Sequence, residues 1–571
     1  MTKVTKRPGK KPARNALAEI QMQVMWNRLI SVVEEQAQTL IRTAFGAATR
    51  EAGDLSAGVF LTDGRMVAQA VTGTPGHVNS MAESVGHFLK EYPARGMRPG
   101  DTFVTNDPWK GTGHLNDFTM VTPVFQPVGK HQRLVALFAS TLHVVDIGGL
   151  GFGPEGTQVY HEGLYVPILK LVDAGAFSET TLKIIRANVR EPVQVEGDLY
   201  ALVACNEVGG RRLAAMMNEY QLKDIEALGE FIIRRSHAAM LAAVREWPQG
   251  AWSTSMTIDG YGAPITLAAK LTISRGGIDI DFSGTSPVAA KGINVPKSYT
   301  DAYTSFGVRC IIGANIPNNA GSLSVVRVTA PAGCILNAPF PLAVAARATV
   351  GQMLPDVVFG CLRQARPGKV PAEGTSCLWN IRLAGGQGGQ NTQGSATKGR
   401  RFTVVGFNTG GTGARPAQDG LSVTSFPSGV RNVSLEIMET ISPLVFWRKE
   451  YRPDSGGAGR ARGGLGQIIE IENGDGAPMV LAATFDRIEH PARGADGGKA
   501  GSGGRVHLRS GKELNGMGNQ PVPAGDRLIV ETPGGGGIGE PRERARDAVR
   551  RDVALGLVSE EQARDYYGFN P

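Results

Sequence analysis

Over the first fifty positions apolar residues recur every three or four places: Ile20, Val24, Val33, Ala37, Leu40 and Ala44, with Glu34, Gln36, Arg42 and Arg50 between them. That spacing predicts one long helix over 16–52, with Asn15 placed to cap its start and Gly53 its end. At 55–70, LSAGVFLTDGRMVAQA, two β-prone runs meet at Asp63-Gly64, which predicts a hairpin. Residues 101–170 mix short strands with Gly/Pro loops. From 178 to 245 the helical period returns, first with Leu182, Ile185 and Val189, then Leu199 to Met217, then Ile225 to Val244, and Trp247-Pro248 closes the block. Beyond 252 the reading turns to strands, with 265–273 and 278–282 alternating around Gly276-Gly277. One helix is expected at 340–365, and strands with glycine turns at 402–531. After Pro541 the tail reads as two short helices around Gly556, Ser559 starting the second.

These elements describe an α+β, multi-domain protein with an α-rich N-terminal half and a β-rich, glycine-rich C-terminal half. The expected divisions are a disordered basic arm at 1–14, a mixed α/β region at 15–250, a β-rich region at 251–540 and a helical tail at 541–571. A length of 571 residues fits several structural units. Glycine accounts for 76 residues, nearly twice ordinary usage, without a fixed period, so neither collagen nor a repeat array fits.

Charge changes this picture little. Of the net charge of +8, six positive charges lie in the arm before Glu19, leaving +2 for the body, which argues against nucleic acid as a partner. There is no 18-residue apolar run to span a membrane and no apolar segment directly after the basic N-terminus to form a secretory signal. Five cysteines without a C-x-x-C pair fit reduced thiols in the cytoplasm, not a disulfide framework or a thiolate zinc site.

The chemistry gathers around two histidines. His114 stands three residues before Asp117, and His143 three before Asp146. Between them, FTMVTPVF (118–125) and LVALFAST (134–141) are β-prone runs joined through Pro127 and Gly129, which predicts an antiparallel hairpin. With its centre near 129, Asp117 faces Thr141 and His114 faces Val144, with His143 beside them. Two imidazoles and a carboxylate at one hairpin end make the ligand set of a catalytic Zn, Mn or Fe site; the bland alternative is a pair of satisfied structural histidines. Asp146 either orients His143 or caps the Gly148-Gly149 turn. Asp54 is either a further ligand or a helix-end cap, and His77, in a polar loop, either touches substrate or is exposed. His87, His131, His237, His490 and His507 read as structural or exposed, His131 in the turn and the other four without acidic or imidazole company. IGGLGFG (147–153) and PGGGGIGEP (533–541) read as structural turns, because no P-loop Lys-Ser/Thr or strand–helix unit follows them.

In order along the chain, TNDPWKGTGHLNDFTMVTPVF, LHVVDIGG, IRANVREPVQVEGDL, IDFSGTSP, YRPDSGGAGRARGGLG and TPGGGGIGEP resemble the B subunit of the hydantoinase/oxoprolinase family, and the corresponding subunits of acetone and acetophenone carboxylases. The resemblance runs from about Ala16 to Phe569. It implies a hydantoinase-B-like fold and an A-type ATPase partner that phosphorylates a carbonyl oxygen, the B-type chain completing the reaction at a divalent metal. The implied ligands fall on His114, Asp117 and His143, with Asp54 a further carboxylate. Asp107 and Glu162 lie in matching motifs and, with His77, are the candidate catalytic residues. The chain departs from the pattern at His143-Val144-Val145-Asp146, at His161-Glu162 and at AVAARATV (343–350). The first functional expectation is therefore the metal-dependent subunit of a cytoplasmic, hetero-oligomeric, ATP-dependent cyclic-amide hydrolase. The alternatives are a ketone carboxylase subunit and a non-catalytic scaffold for the ATPase.

Overall fold

The computed structural model describes residues 12–151, 153–386 and 400–570, with the backbone alone for 12–16. Most of the expected basic arm, residues 1–11, lies outside the described residues. The first helix, α1 (Pro12–Thr43), begins ahead of Asn15, so Asn15 lies within the helix and not at its start. It also ends earlier than its apolar period suggested. At Phe45-Gly46 the two backbone N–H groups donate to Asp198 Oδ1 (2.8 and 3.0 Å), and the chain turns into a short α2 (Ala47–Arg50). A carboxylate accepting two amides thus breaks the expected single helix in two.

Strands β1 (Leu55–Phe60) and β2 (Met66–Gln69) form the hairpin through Asp63-Gly64, and α3 (Pro75–Glu91) follows where a polar loop was expected. Then come β3 (Thr102–Thr105), β4 (Asp117–Val128), β5 (His131–His143), the short α4 (Val159–Glu162), β6 (Leu169–Asp173) and β7 (Ala176–Phe177). The strands make one seven-stranded antiparallel sheet, order β2-β1-β5-β4-β3-β6-β7. Helices α5 (Glu179–Asn188), α6 (Pro192–Glu219) and α7 (Glu226–Arg245) complete this part.

Both faces of the sheet are covered, which is why its strands read as apolar runs and not as alternations. Val59 and Phe138 pack with Leu29 and Val33 of α1 and Leu213 of α6, whereas Phe60, Leu137 and Ala139 pack with Met81, Val85 and Phe88 of α3. Each of these side chains, the smaller Ala139 apart, contributes about 1.5–3 kcal/mol by leaving water.

A second sheet, β11-β10-β9-β8, comprises β8 (Gly250–Ile258), β9 (Ile265–Ser274), β10 (Gly277–Asp281) and β11 (Val326–Thr329). The region expected to be β-rich also holds α8 (Lys297–Ile311), a fifteen-residue helix that the sequence reading missed. After α9 (Ala320–Leu323), the expected helix at 340–365 appears as α10 (Ala348–Gly351) and α11 (Leu354–Ala365). Two four-stranded sheets close the fold. The order β13-β12-β16-β18 joins Phe402–Gly406, Ile381–Gly385, Met479–Thr484 and Met517–Val522. The order β14-β15-β19-β17 joins Leu444–Tyr451, Gln467–Asn473, Arg527–Glu531 and Arg505–Leu508. The tail forms two helices, Arg546–Ala554 and Glu560–Asp565, with the Ser559 hydroxyl capping the second through Gln562 N–H.

The glycines after 400 serve close packing of backbone on backbone. A Cβ on Gly534 would lie 1.7 Å from Ser455 O, and one on Gly411 1.8 Å from Gly464 O. The amides of Gly534 to Gly537 donate to Ser502, Gly464, Glu373 and Lys499 carbonyls at 2.9–3.1 Å. With those four donors spent on backbone, the glycine string has no amide nest for a phosphate, which agrees with reading it as structural.

Candidate metal centre

The hairpin carries the site, in a better register than the sequence suggested. Its turn is two residues, Gly129-Lys130, and a bulge lies between Val124 and Phe125, so pairs sum to 260 beyond the bulge and Asp117 faces His143, not Thr141. Thr141 pairs with Thr119 instead, two rungs inside. His114 precedes β4 in a loop and is buried, as are Asp117 and His143. One donor atom from each of these three lies within 4.8 Å of the others.

Asp117 is the hub. Its Oδ2 accepts from Thr112 Oγ1 (2.8 Å) and from Arg347 Nη2 (2.6 Å), and faces His77 Nε2 at 3.0 Å. Its Oδ1 faces His114 Nε2 at 2.8 Å and His143 Nδ1 at 3.1 Å. Both ring nitrogens of His114 face acceptors, Nδ1 the Ala345 carbonyl at 3.0 Å and Nε2 the Asp117 carboxylate at 2.8 Å, and a neutral ring donates to only one of them; the tautomer that suits a metal keeps its proton on Nδ1. In that tautomer Nε2 carries a lone pair directed at a carboxylate oxygen, and a cation between the two relieves that repulsion. The residues present therefore fit a divalent ion, and two nitrogens with one oxygen and no thiolate suit Zn, Mn or Fe.

Burial and the neighbouring charges move the three groups differently. Burial, and then the Arg347 charge, push the His114 imidazole down to about 3. Burial alone would raise Asp117, but His114, His77 and Arg347 outweigh it and hold the carboxyl well below the usual range. His77 is lowered by burial yet raised further by the Asp117 and Asp54 carboxylates.

His77 is buried in the first turn of α3, where Pro75 opens the helix, and joins the cluster instead of facing solvent. Asp54 accepts from Thr74 Oγ1 (2.8 Å) and stands 3.5 Å from His77 Nδ1, so it meets the centre through that ring. Glu162 is buried, its Oε1 accepting from Val344 N (2.6 Å) and Ala345 N (2.7 Å), and burial pushes its carboxyl up to about 8. Asp107 accepts from Trp109 N (2.9 Å) and lies 3.6 Å from Lys110 Nζ, stitching its own turn. Asp146 takes its capping role, accepting from Gly148 N (3.2 Å) and Arg190 Nη1 (2.8 Å). Two histidines expected to lack acidic company have it: His490 lies 2.8 Å from Asp259 and His507 3.4 Å from Glu531.

Arg347 was missed. It is fully enclosed, donates to Asp117 and to Thr112 O (2.8 Å), and stacks 4.1 Å from the Tyr299 ring centroid. The signal was available in AVAARATV, because a lone arginine in an apolar run must be paired if it is buried.

With this geometry established, the comparisons decide the family. The profile described as hydantoinase B/oxoprolinase matches residues 18–541. The chain belongs to the hydantoinase B/oxoprolinase family. The caprolactamase subunit beta of Pseudomonas jessenii is 28% identical over 97% of this chain and 96% of its own length. The crystal structure of the ATP-dependent caprolactamase from that organism superposes with a TM-score of 0.85 at 25% identity, covering 97% of this chain and 96% of that one. Acetone carboxylase, in its nucleotide-free structure, shares the fold at a TM-score of 0.83 and 19% identity, covering 98% of this chain and 80% of that chain. The 5-oxoprolinase 1 of Arabidopsis thaliana is 30% identical over 93% of this chain, which spans only 42% of that longer protein. The chain's relatives thus include proteins named caprolactamase and 5-oxoprolinase, and acetone carboxylase shares its fold. No described helix is long and apolar enough to cross a membrane.

Proposed function

We propose that this chain is the metal-dependent B-type subunit of an ATP-dependent cyclic-amide hydrolase, acting with a hydantoinase-A-type ATPase that activates the substrate by phosphorylation. The observation carrying this reading is the convergence of His114 Nε2 and His143 Nδ1 on Asp117 Oδ1, while Arg347 and Thr112 hold Oδ2. His114, Asp117 and His143 would hold the ion, with Asp54 behind His77 and outside that set. A divalent ion there would act as a Lewis acid, polarising a carbonyl and making water nucleophilic near neutral pH. Around it, Arg347 orients Asp117, Ala345 O fixes the His114 ring, and His77 holds a proton between two carboxylates. The cyclic-amide assignment draws on the caprolactamase and oxoprolinase likenesses, over nearly the whole chain in the first case.

The test is co-purification of the chain with an A-type ATPase and a screen of lactams, hydantoin and oxoproline with and without ATP. ATP-dependent ring opening by the wild-type pair, lost in Asp117→Asn, is expected. Ring opening undiminished in Asp117→Asn would contradict the assignment.

A further inference from the structure

A buried carboxylate that touches no ligand of the centre sits one residue removed from two of its parts. Glu162 ends α4; its neighbours Tyr160 and His161 are exposed, while Val159 and Glu162 point inward. Space around it is kept clear by glycines: a Cβ on Gly292 would come within 3.2 Å of Glu162 Oε1, and one on Gly156 within 3.3 Å of its Cγ. Residues 343–347 form no regular element, and two buried amides in such a loop need acceptors. Glu162 Oε1, from 182 residues away, accepts both Val344 N (2.6 Å) and Ala345 N (2.7 Å). The same two residues then face the centre. Ala345 O faces His114 Nδ1 (3.0 Å), and Val344 O accepts the backbone N–H of Arg347 (3.0 Å), whose guanidinium holds Asp117.

We propose that Glu162 is a positioning residue of the metal centre: by anchoring Val344 and Ala345 it fixes the His114 tautomer that leaves Nε2 as a ligand, and sets Arg347 against Asp117. The proposal rests on the metal reading above. It requires an acceptor at Oε1 and not a negative charge, so a side-chain amide serves as well as a carboxyl. Removing the acceptor strands two buried N–H groups, and the loop must move to satisfy them.

The experiment compares wild type, Glu162→Gln and Glu162→Leu in the full chain, checked for folding by circular dichroism. Glu162→Asp, one methylene short of both amides, replaces the leucine variant if that one does not fold. One readout is Co(II) titration of metal-stripped protein, followed by the ligand-field absorption. Wild type and Glu162→Gln should bind alike with the same spectrum, whereas Glu162→Leu should bind 10–100-fold more weakly, roughly the loss typical when the partner of a ligating histidine is removed. The other readout is ring-nitrogen NMR of histidine-labelled, metal-free protein, in which His114 should be the Nδ1–H tautomer in wild type and Glu162→Gln but not in Glu162→Leu. A folded Glu162→Leu with unchanged tautomer and Co(II) affinity overturns the proposal. So does a Glu162→Gln as impaired as the leucine variant, because charge would then be what matters. A wild type that takes up no Co(II), yet shows the tautomer change in Glu162→Leu, contradicts the metal reading and supports the positioning role.

Discussion

The metal centre and the glycine-packed region after 400 solve opposite problems. At the hairpin end, five side chains from four segments converge on one carboxylate, and the backbone supplies a rigid sheet to stand them on. Around Gly411, Gly463 and Gly534 the side chains are gone, and backbone carbonyls of one loop segment fill the places where the Cβ atoms of another would be. A one-residue change should therefore remove function and spare the fold in the first region, and do the reverse in the second.

The largest effect should come from Gly534→Ala. Its methyl group would meet Ser455 O at 1.7 Å with backbone on all sides, so destabilisation beyond about 4 kcal/mol is expected, read as loss of soluble, folded protein. A folded variant with a wild-type urea midpoint would dissolve the contrast.

Arg347→Met tests the other side. In metal-free protein Asp117 would lose its nearest cation while buried, costing about 3 kcal/mol by urea unfolding, with the native circular dichroism retained. A cost near zero would mean that His77 and Thr112 suffice for Asp117.

A smaller effect separates Glu162 from Glu162→Gln across pH. The folded carboxyl titrates at about 8 against an ordinary 4.5, so the protonated form is the one the fold favours. Its contribution to stability is complete below pH 4.5 and is lost as pH rises toward 8. Metal-free Glu162→Gln should therefore gain on wild type steadily between pH 5 and 8 in thermal unfolding. Parallel curves would show that Glu162 is ionised throughout.

The smallest change marks the limit of the glycine rule. A Cβ on Gly86, inside α3, meets nothing within 4 Å, so Gly86→Ala should stabilise the chain by about 0.5–1 kcal/mol. Destabilisation would show that space, and not helix propensity, governs that position.

The same contrast explains what could be read from the sequence. The hairpin and its triad were legible because local order places them: His114 stands just before one strand, Asp117 opens it and His143 closes its neighbour. The register was misjudged by two: the turn at Gly129-Lys130 shifts the pairing by one, and the bulge at Val124/Phe125, which leaves no mark in the alternation of apolar residues, adds the second. Arg347 and Glu162 act across more than 180 residues, and no local period reports such pairings. The helix α8 was missed because Tyr299, Thr300, Tyr303 and Thr304, all inward-facing, read as β-formers, and burial overrode their propensity. In the glycine region the composition announced close packing, but which strings interlock is a tertiary fact.

The central claim is that His114, Asp117 and His143 hold one divalent ion at the end of an otherwise intact sheet. Elemental analysis of purified wild type and His143→Ala, beside their circular dichroism, tests it most directly. The account predicts about one ion per wild-type chain, a sharp fall in His143→Ala, and superimposable spectra, because His143 lies at the strand end with the core built from Leu142 inward. A folded His143→Ala chain retaining the full complement of metal would contradict it.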